Sequence, residues 1–270
     1  MLTGWRLRQG LMCAAALLAA TGCGQSTDGP RAGAPVLLVS APASLSDVMG
    51  DVADAFEGET DARILLNVAG SHLLATQMLE GAPVDVIISA DVRQMDRVAA
   101  AGRIDAATRV DLLSNRLVTV VPADREGSIS GPEDLARDAV RRIALGDPEA
   151  VPAGVYARGW LSAAGLWGAV AEKVAPAGSV RAALRAVESG AVDAGIVYHT
   201  DALTSTGVAV AFEVPRGSAP PIVYPAALAA GTPNPETGRR FLDYLRGEAA
   251  ARLFEAAGFV LVHPAIGRPS

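Results

Sequence analysis

Arg142-Ile143-Ala144-Leu145 runs into Gly146-Asp147-Pro148-Glu149-Ala150-Val151-Pro152-Ala153-Gly154-Val155-Tyr156-Ala157, and the reading of this stretch decides the fold. Residues 142–145 read as a short buried strand, and a helix begins after the turn. Pro152 suits the first helical position, where a missing N–H costs nothing. Small Ala153 and Gly154 let another group approach the main chain closely, so the first N–H groups of the helix stay free to hold an anion. An ordinary loop-to-helix turn has the same composition, so the stretch has to be read with its surroundings.

Strand followed by helix is the rule along the rest of the chain. Strand-like apolar runs fall at 36–41, 62–68, 84–89, 117–121, 142–145, 192–198 and 222–228. Helical periods fall at 45–57, 72–80, 92–101, 132–137, 155–164, 180–188, 235–245 and 248–256, the first with Leu45, Val48, Val52 and Phe56 on one face. This alternation predicts an α/β fold with mainly parallel sheets covered on both faces. No repeat of fixed period is visible. Ligands of such sheets bind beyond the carboxyl ends of the strands, so three further junctions matter. In Ser40-Ala41-Pro42-Ala43-Ser44-Leu45-Ser46-Asp47, Ser44 reads as the helix start and Asp47 as its capping-box partner. The others are Val68-Ala69-Gly70-Ser71-His72 and Pro176-Ala177-Gly178-Ser179-Val180-Arg181. Each alone reads as a structural cap, since Ser and Gly are ordinary capping residues; four together carry more weight.

The first residues concern location. Trp5, Arg6 and Arg8 precede an apolar run, 11–20, too short to span a bilayer, and Thr21-Gly22-Cys23 closes it. This looks like a bacterial lipoprotein signal at 1–22, cut before a lipidated Cys23, which would hold an exported protein on the outer face of the cell membrane. Ala20 stands where Leu is usual in such signals, so a plain secretory signal and a soluble periplasmic product are the alternative. Cys13 falls in the discarded segment, leaving no thiol for a disulfide, a thiolate metal site or a nucleophile. Residues 24–35 are polar and rich in Gly, Pro, Ser and Thr, so that 23–35 reads as lipidated cysteine plus flexible tether, reaching at most about 40 Å.

The 235 residues from Val36 onward suffice for one large or two modest cores. Half the chain is hydrophobic and only 4% aromatic, so Ala, Val and Leu must fill those cores. Without Arg6 and Arg8, 21 basic residues face 29 acidic ones, a net charge of −8, and the single lysine is Lys173. That balance argues against nucleic acid, which is held through clustered Lys and Arg. A small anion is not excluded, because aimed backbone and hydroxyl donors hold one locally inside a negative protein.

The blocks Ala43-Ser44-Leu45, Gly81-Ala82-Pro83-Val84-Asp85-Val86-Ile87-Ile88-Ser89-Ala90-Asp91, Gly146 to Ala157 and Gly195-Ile196-Val197-Tyr198, in that order, resemble the molybdate-binding proteins of bacterial ABC importers. The likeness covers essentially all of 36–262. It implies a two-lobe periplasmic-binding-protein fold of type II, each lobe a mainly parallel sheet flanked by helices, whose cleft encloses molybdate or tungstate. It further implies a monomer without cofactor or catalysis, delivering its anion to a membrane permease. Carried over by position, the anion would be held by Ser44 and Ser71 through hydroxyl and backbone, by the N–H groups of Ala153 and Val180, and by the Tyr198 hydroxyl. Lobe I would comprise 36–117 plus 222–270 and lobe II 118–221, with hinge crossings near Leu117 and Ile222.

Such a donor set suits a dianion that offers only acceptors. A phosphate site would gain from a carboxylate to accept the ligand proton, and none of the five positions is acidic. His72 after Ser71 and His199 after Tyr198 depart from the family's commoner small residues. They read either as cap or rim side chains turned away from the ligand, or as groups at the cleft mouth that strengthen anion capture when protonated below about pH 6.5. His263 lies in the tail, and the three histidines show no zinc-ligand spacing. Tyr198 has a structural alternative too, a buried phenol satisfying a backbone carbonyl. A receptor for sulfate, phosphate or another oxyanion fits the same fold. An exported hydrolase would have to pair Ser44 or Ser71 with His72 or His199, but the chain has no Gly-x-Ser-x-Gly elbow.

Overall fold

Two six- and five-stranded sheets, each covered by helices, follow from the alternation in the sequence. The computed structural model describes residues 34–215 and 217–263; the signal at 1–22, Cys23 and the tether as far as residue 33 lie outside the described residues. The elements are β1 (Val36–Pro42), α1 (Ser46–Glu59), β2 (Arg63–Ala69), α2 (Ser71–Leu79), β3 (Val86–Ile88), α3 (Val92–Ala100), β4 (Val110–Ser114), β5 (Leu117–Pro122), β6 (Ile143–Gly146), α4 (Pro152–Ala163), α5 (Trp167–Val170), β7 (Val174–Ala177), α6 (Val180–Glu188), β8 (Ala194–Tyr198), α7 (His199–Leu203), β9 (Val208–Glu213), β10 (Val223–Leu228), α8 (Pro235–Arg246), α9 (Glu248–Ala256) and β11 (Val260–Leu261). Among the described residues no helix is long and apolar enough to cross a membrane.

The first sheet has the order β11-β4-β10-β3-β1-β2 and the second β7-β6-β8-β5-β9. Each is mixed where mainly parallel sheets were expected. β1 is parallel to β2 and β3, and β6 to β7 and β8, while β10 and β5 run antiparallel to both of their neighbours. The antiparallel parts arise where the chain changes sheet. It passes from β4 to β5 through Asn115 and Arg116, and returns from β9 to β10 through 214–222.

Four strands fall outside the expected runs: β4, β7, β9 and β11. The last three are half-exposed sheet edges; β7 is interrupted by Pro176, which an edge tolerates, and β11 has two residues, whereas β9 has the apolar run Val208 to Phe212 but no fully buried residue. The helix expected at 132–137 is instead a 3₁₀ helix, Pro132–Ala136, because the Asp134 carboxylate turns back to accept the Ser130 N–H at 2.8 Å.

Helix α1 lays Val48, Met49, Val52 and Phe56 on the first sheet, where Phe56 meets the ring of Phe241 edge-on at 5.0 Å. In the second sheet Val118, Val120, Ile143, Leu145 and Ile196 are buried against Trp160, Leu161 and Leu184. One close approach positions the functional region: a Cβ at Gly154 would run into the carbonyl oxygen of Gly146. Glycine at 154 lets α4 begin directly against the end of β6, with its N-terminus at the sheet's carboxyl edge.

Candidate functional site

Six strand-to-helix junctions, three from each sheet, meet at one small cavity. Its wall consists of Pro42, Ala43 and Ser44 after β1, Gly70 and Ser71 after β2, Ala90 after β3, Val151, Pro152 and Ala153 at the start of α4, Ser179 and Val180 at the start of α6, and Tyr198 at the end of β8. The space admits the centre of a water-sized sphere over about 10 Å³. A larger hollow of about 460 Å³, around Asp85, Arg103, Thr232 and Asn234, opens elsewhere on the first sheet, and its carboxylate is already satisfied by Leu38 N–H at 2.7 Å and by the Thr232 hydroxyl.

The junction residues keep their donors available. Pro152 occupies the first turn of α4, no side chain caps that helix, and its first N–H groups have no acceptor within the helix. In α6 the Ser179 hydroxyl accepts the Ala182 N–H at 3.2 Å, leaving the Val180 N–H beside the cavity. Ser71 Oγ accepts the Ala90 N–H at 2.9 Å, so its own proton remains to be donated. Ser44 Oγ lies 3.1 Å from the Tyr224 hydroxyl. The Tyr198 hydroxyl is fully buried and, among the described residues, has no hydrogen-bond partner. Burial, followed by the neighbouring Tyr224, Tyr156, Asp91 and Asp201, holds Tyr198 well above the usual phenol range; it remains a proton donor.

All five residues singled out in the sequence, Ser44, Ser71, Ala153, Val180 and Tyr198, therefore lie on this one wall. His72 and His199 do not. Each is half-buried with Nδ1 unpartnered among the described residues, and each is shifted below the ordinary imidazole value chiefly by burial. Asp147 and Asp91 pull His72 back up, and Glu213 does so for His199 against Arg116.

The capping box expected at Ser44 is absent. Helix α1 has no side-chain cap; Ser44 instead turns to Tyr224, and Asp47 pairs with Arg181 Nη2 at 2.6 Å. Both partners come from remote parts of the chain and outcompete the local backbone. Tyr224, Asn115, Arg181 and Asp201 are functional neighbours of the site that no sequence motif marks. Asn115 donates to Tyr224 Oη (3.3 Å) and Thr200 Oγ1 (2.9 Å), and Arg181 Nε lies 2.6 Å from Asp201 Oδ1, an ion pair in distance without hydrogen-bond alignment. No local spacing announces these residues, apart from the adjacency of Arg181 to Val180.

The site can accept several hydrogen-bond acceptors at once from one small ligand, and no ionised side chain stands in its wall. That suits a compact anion stripped of water, met by dipoles and hydroxyls instead of a counter-ion.

Comparison with known proteins agrees with this architecture. Residues 37–260 match the family described as bacterial extracellular solute-binding protein. The chain is 40% identical over 234 residues to the molybdate-binding protein ModA of Escherichia coli (strain K12), covering 83% of this chain and 89% of that one. Among solved structures, the periplasmic molybdate-binding protein of Azotobacter vinelandii superimposes with a TM-score of 0.76 at 23% identity, over 84% of this chain and 100% of that one. The sulfate-binding protein SubI of Mycobacterium tuberculosis H37Rv does so with a TM-score of 0.75 at 18% identity, over 86% and 88% of the two chains. At those identities the likeness is one of fold.

Proposed function

The chain belongs to the bacterial extracellular solute-binding protein family, and on that premise we propose that it captures molybdate, and tungstate with it, outside the cytoplasm and delivers the anion to the permease of an ABC importer. The observation that carries this reading is the meeting of Ser44, Ser71, Ala153, Val180 and Tyr198 on one small cavity that holds donors and no ionised group. The identity to a protein named for molybdate binding supports the choice of anion. A hydrogen bond to a charged group contributes about 1.5–3 kcal/mol net, so five offset the cost of ordering the protein and support binding tighter than micromolar.

In this reading lobe I is 36–117 with 222–270 and lobe II is 118–221, and the two crossings are the hinge. Closure brings Ser44 and Ser71 against Ala153, Val180 and Tyr198, and the anion stabilises the closed form. No cofactor and no turnover belong to it: the Ser44 and Ser71 hydroxyls are engaged by Tyr224 and the Ala90 N–H, not by a histidine acting as base. The protein acts as a monomer, exported and anchored through lipid on Cys23. Replacing Cys23 by Ser should then release the protein from the membrane fraction; release of the unsubstituted protein would point to a plain secretory signal.

A receptor for sulfate or phosphate is the second reading, favoured by the shared fold with a sulfate-binding protein. Calorimetry with molybdate, tungstate, sulfate and phosphate separates the two. Molybdate and tungstate should bind at least tenfold more tightly than the others, roughly the 1.4 kcal/mol that one good contact supplies; tighter binding of sulfate or phosphate would establish the second reading in its place.

A further inference from the structure

We infer that Tyr224 and Asn115 are positioning residues that turn the Ser44 proton toward the anion, an inference that rests on the oxyanion reading of the same cavity. Ser71 shows the device in its simplest form. Its oxygen accepts the Ala90 N–H at 2.9 Å, so the hydroxyl proton is left for the cavity. Ser44 faces another hydroxyl instead, Tyr224 Oη at 3.1 Å, and two hydroxyls alone leave the direction of donation open.

Asn115 settles it. Its Oδ1 accepts the Arg116 N–H at 2.8 Å, which distinguishes the two ends of the amide. Nδ2 then faces Tyr224 Oη at 3.3 Å and Thr200 Oγ1 at 2.9 Å, one N–H for each. An amide nitrogen only donates, so Tyr224 Oη is an acceptor toward Asn115. Were it an acceptor toward Ser44 as well, its own proton would lack an acceptor among the described residues in a fully buried side chain, a costly arrangement. Tyr224 therefore donates to Ser44 Oγ, and the Ser44 proton points into the cavity. The donor chain runs from Asn115 through Tyr224 and Ser44 to the ligand.

The members of this chain have telling places in the fold. Asn115 lies in the first crossing between the sheets, Tyr224 is the second residue of β10 after the other crossing, and Thr200 belongs to α7 beside the second sheet. Asn115, Tyr224 and Thr200 are buried, as is Ser44. The Tyr224 ring is flanked by Tyr198 at 5.9 Å and Phe259 at 5.7 Å, so its hydroxyl has little freedom to turn away. The correct orientation of one ligand donor thus depends on both crossings holding their arrangement.

A double-mutant cycle tests this on the whole chain, with molybdate as titrant in calorimetry. Ser44→Ala and Tyr224→Phe should each weaken binding by about tenfold or more, the effect of one hydrogen bond to a charged group. The double variant should bind no worse than Ser44→Ala alone, because Tyr224 has nothing to orient once the serine proton is gone. A purely structural role for Tyr224 would weaken binding by the same factor with or without Ser44, and that result overturns the proposal, as does wild-type affinity in Tyr224→Phe. Should Tyr224→Phe fail to fold, Asn115→Ala enters the same cycle from the other end, with the same dependence on Ser44 expected. Failure of the underlying reading looks different: wild-type protein that takes up no molybdate, or Ser44→Ala that binds as wild type does.

Discussion

Arg181 Nη2 and Asp47 Oδ2 stand 2.6 Å apart, joining α6 beside the second sheet to α1 on the first across 134 residues of sequence. The same guanidinium contacts Asp201 Oδ1 at 2.6 Å. The two carboxylates differ in exposure, 64% for Asp47 and 0% for Asp201. Burial pushes the Asp201 carboxyl up to about 7, although Arg181 draws it down. Above that pH the arginine is the counter-charge of a buried anion.

The two ends of this pairing should respond unequally to substitution. Asp47→Asn removes a largely solvated partner and should cost no more than about 1 kcal/mol of stability. Arg181→Met leaves Asp201 buried and unpaired, which at pH 8 should cost on the order of 3 kcal/mol. Without Arg181 to draw it down, the Asp201 carboxyl takes up its proton at a higher pH than in the intact protein, so the Arg181→Met penalty should shrink as pH falls from 8 toward 7 and stay level from there to 5, where the carboxyl is protonated in both proteins. Urea titrations at the two pH values measure both effects; equal, pH-independent losses would contradict them.

Tyr198→Phe separates binding from stability. The hydroxyl is buried without a partner, so its removal should leave the ligand-free protein as stable as before or more stable by up to about 1 kcal/mol, while molybdate affinity falls by roughly 1–3 kcal/mol. Thermal melting without ligand and calorimetry with it give the two numbers. Affinity that does not change would remove Tyr198 from the ligand set.

Close backbone packing fixes the start of α4. A Cβ at Gly154 meets the Gly146 carbonyl oxygen, a backbone atom that cannot swing aside. Gly154→Ala should therefore destabilise the protein by about 1–3 kcal/mol or more and weaken anion binding by displacing the Ala153 N–H. Gly165→Ser, at a surface position with positive φ and open space, should cost stability alone.

The histidines make a prediction about pH. Burial shifts both His72 and His199 below the ordinary imidazole value, which favours their neutral form. A base that binds its proton less tightly folded than unfolded contributes stability that is complete above the unfolded value and is lost as pH falls below 6.5. Neither histidine lies on the cavity wall, so molybdate affinity should stay flat from about pH 8 to 5.5, the range in which imidazole charging would otherwise appear. A rise in affinity across that range, abolished in His72→Asn or His199→Asn, would restore the idea of protonated histidines at the cleft mouth.

The α/β alternation, the amphipathic face of α1 and the helix starts at Ser71, Pro152 and Val180 were legible in the sequence. They are local: 3.6-residue periodicity, a proline in a first turn, a serine or glycine before a helix. The edge strands β7 and β11 were not, because β7 is interrupted by Pro176 and β11 is two residues long; β9 was missed although its apolar run, Val208 to Phe212, stands in the sequence. Nor was the mixed character of the sheets, which depends on where the chain crosses between them.

What the sequence determined by itself is the set of strand-to-helix junctions, each rich in backbone and hydroxyl donors. What only the tertiary structure decided is which donors share a cavity and what holds them. Ser44 finds Tyr224 across 180 residues, Asn115 finds Tyr224 across 109, and Arg181 finds Asp47 instead of leaving it to a capping box. The physical reason is range: helix and strand preferences are set by neighbours a few residues away, whereas a buried hydroxyl or charge takes whichever partner the packing of two sheets brings within hydrogen-bond reach.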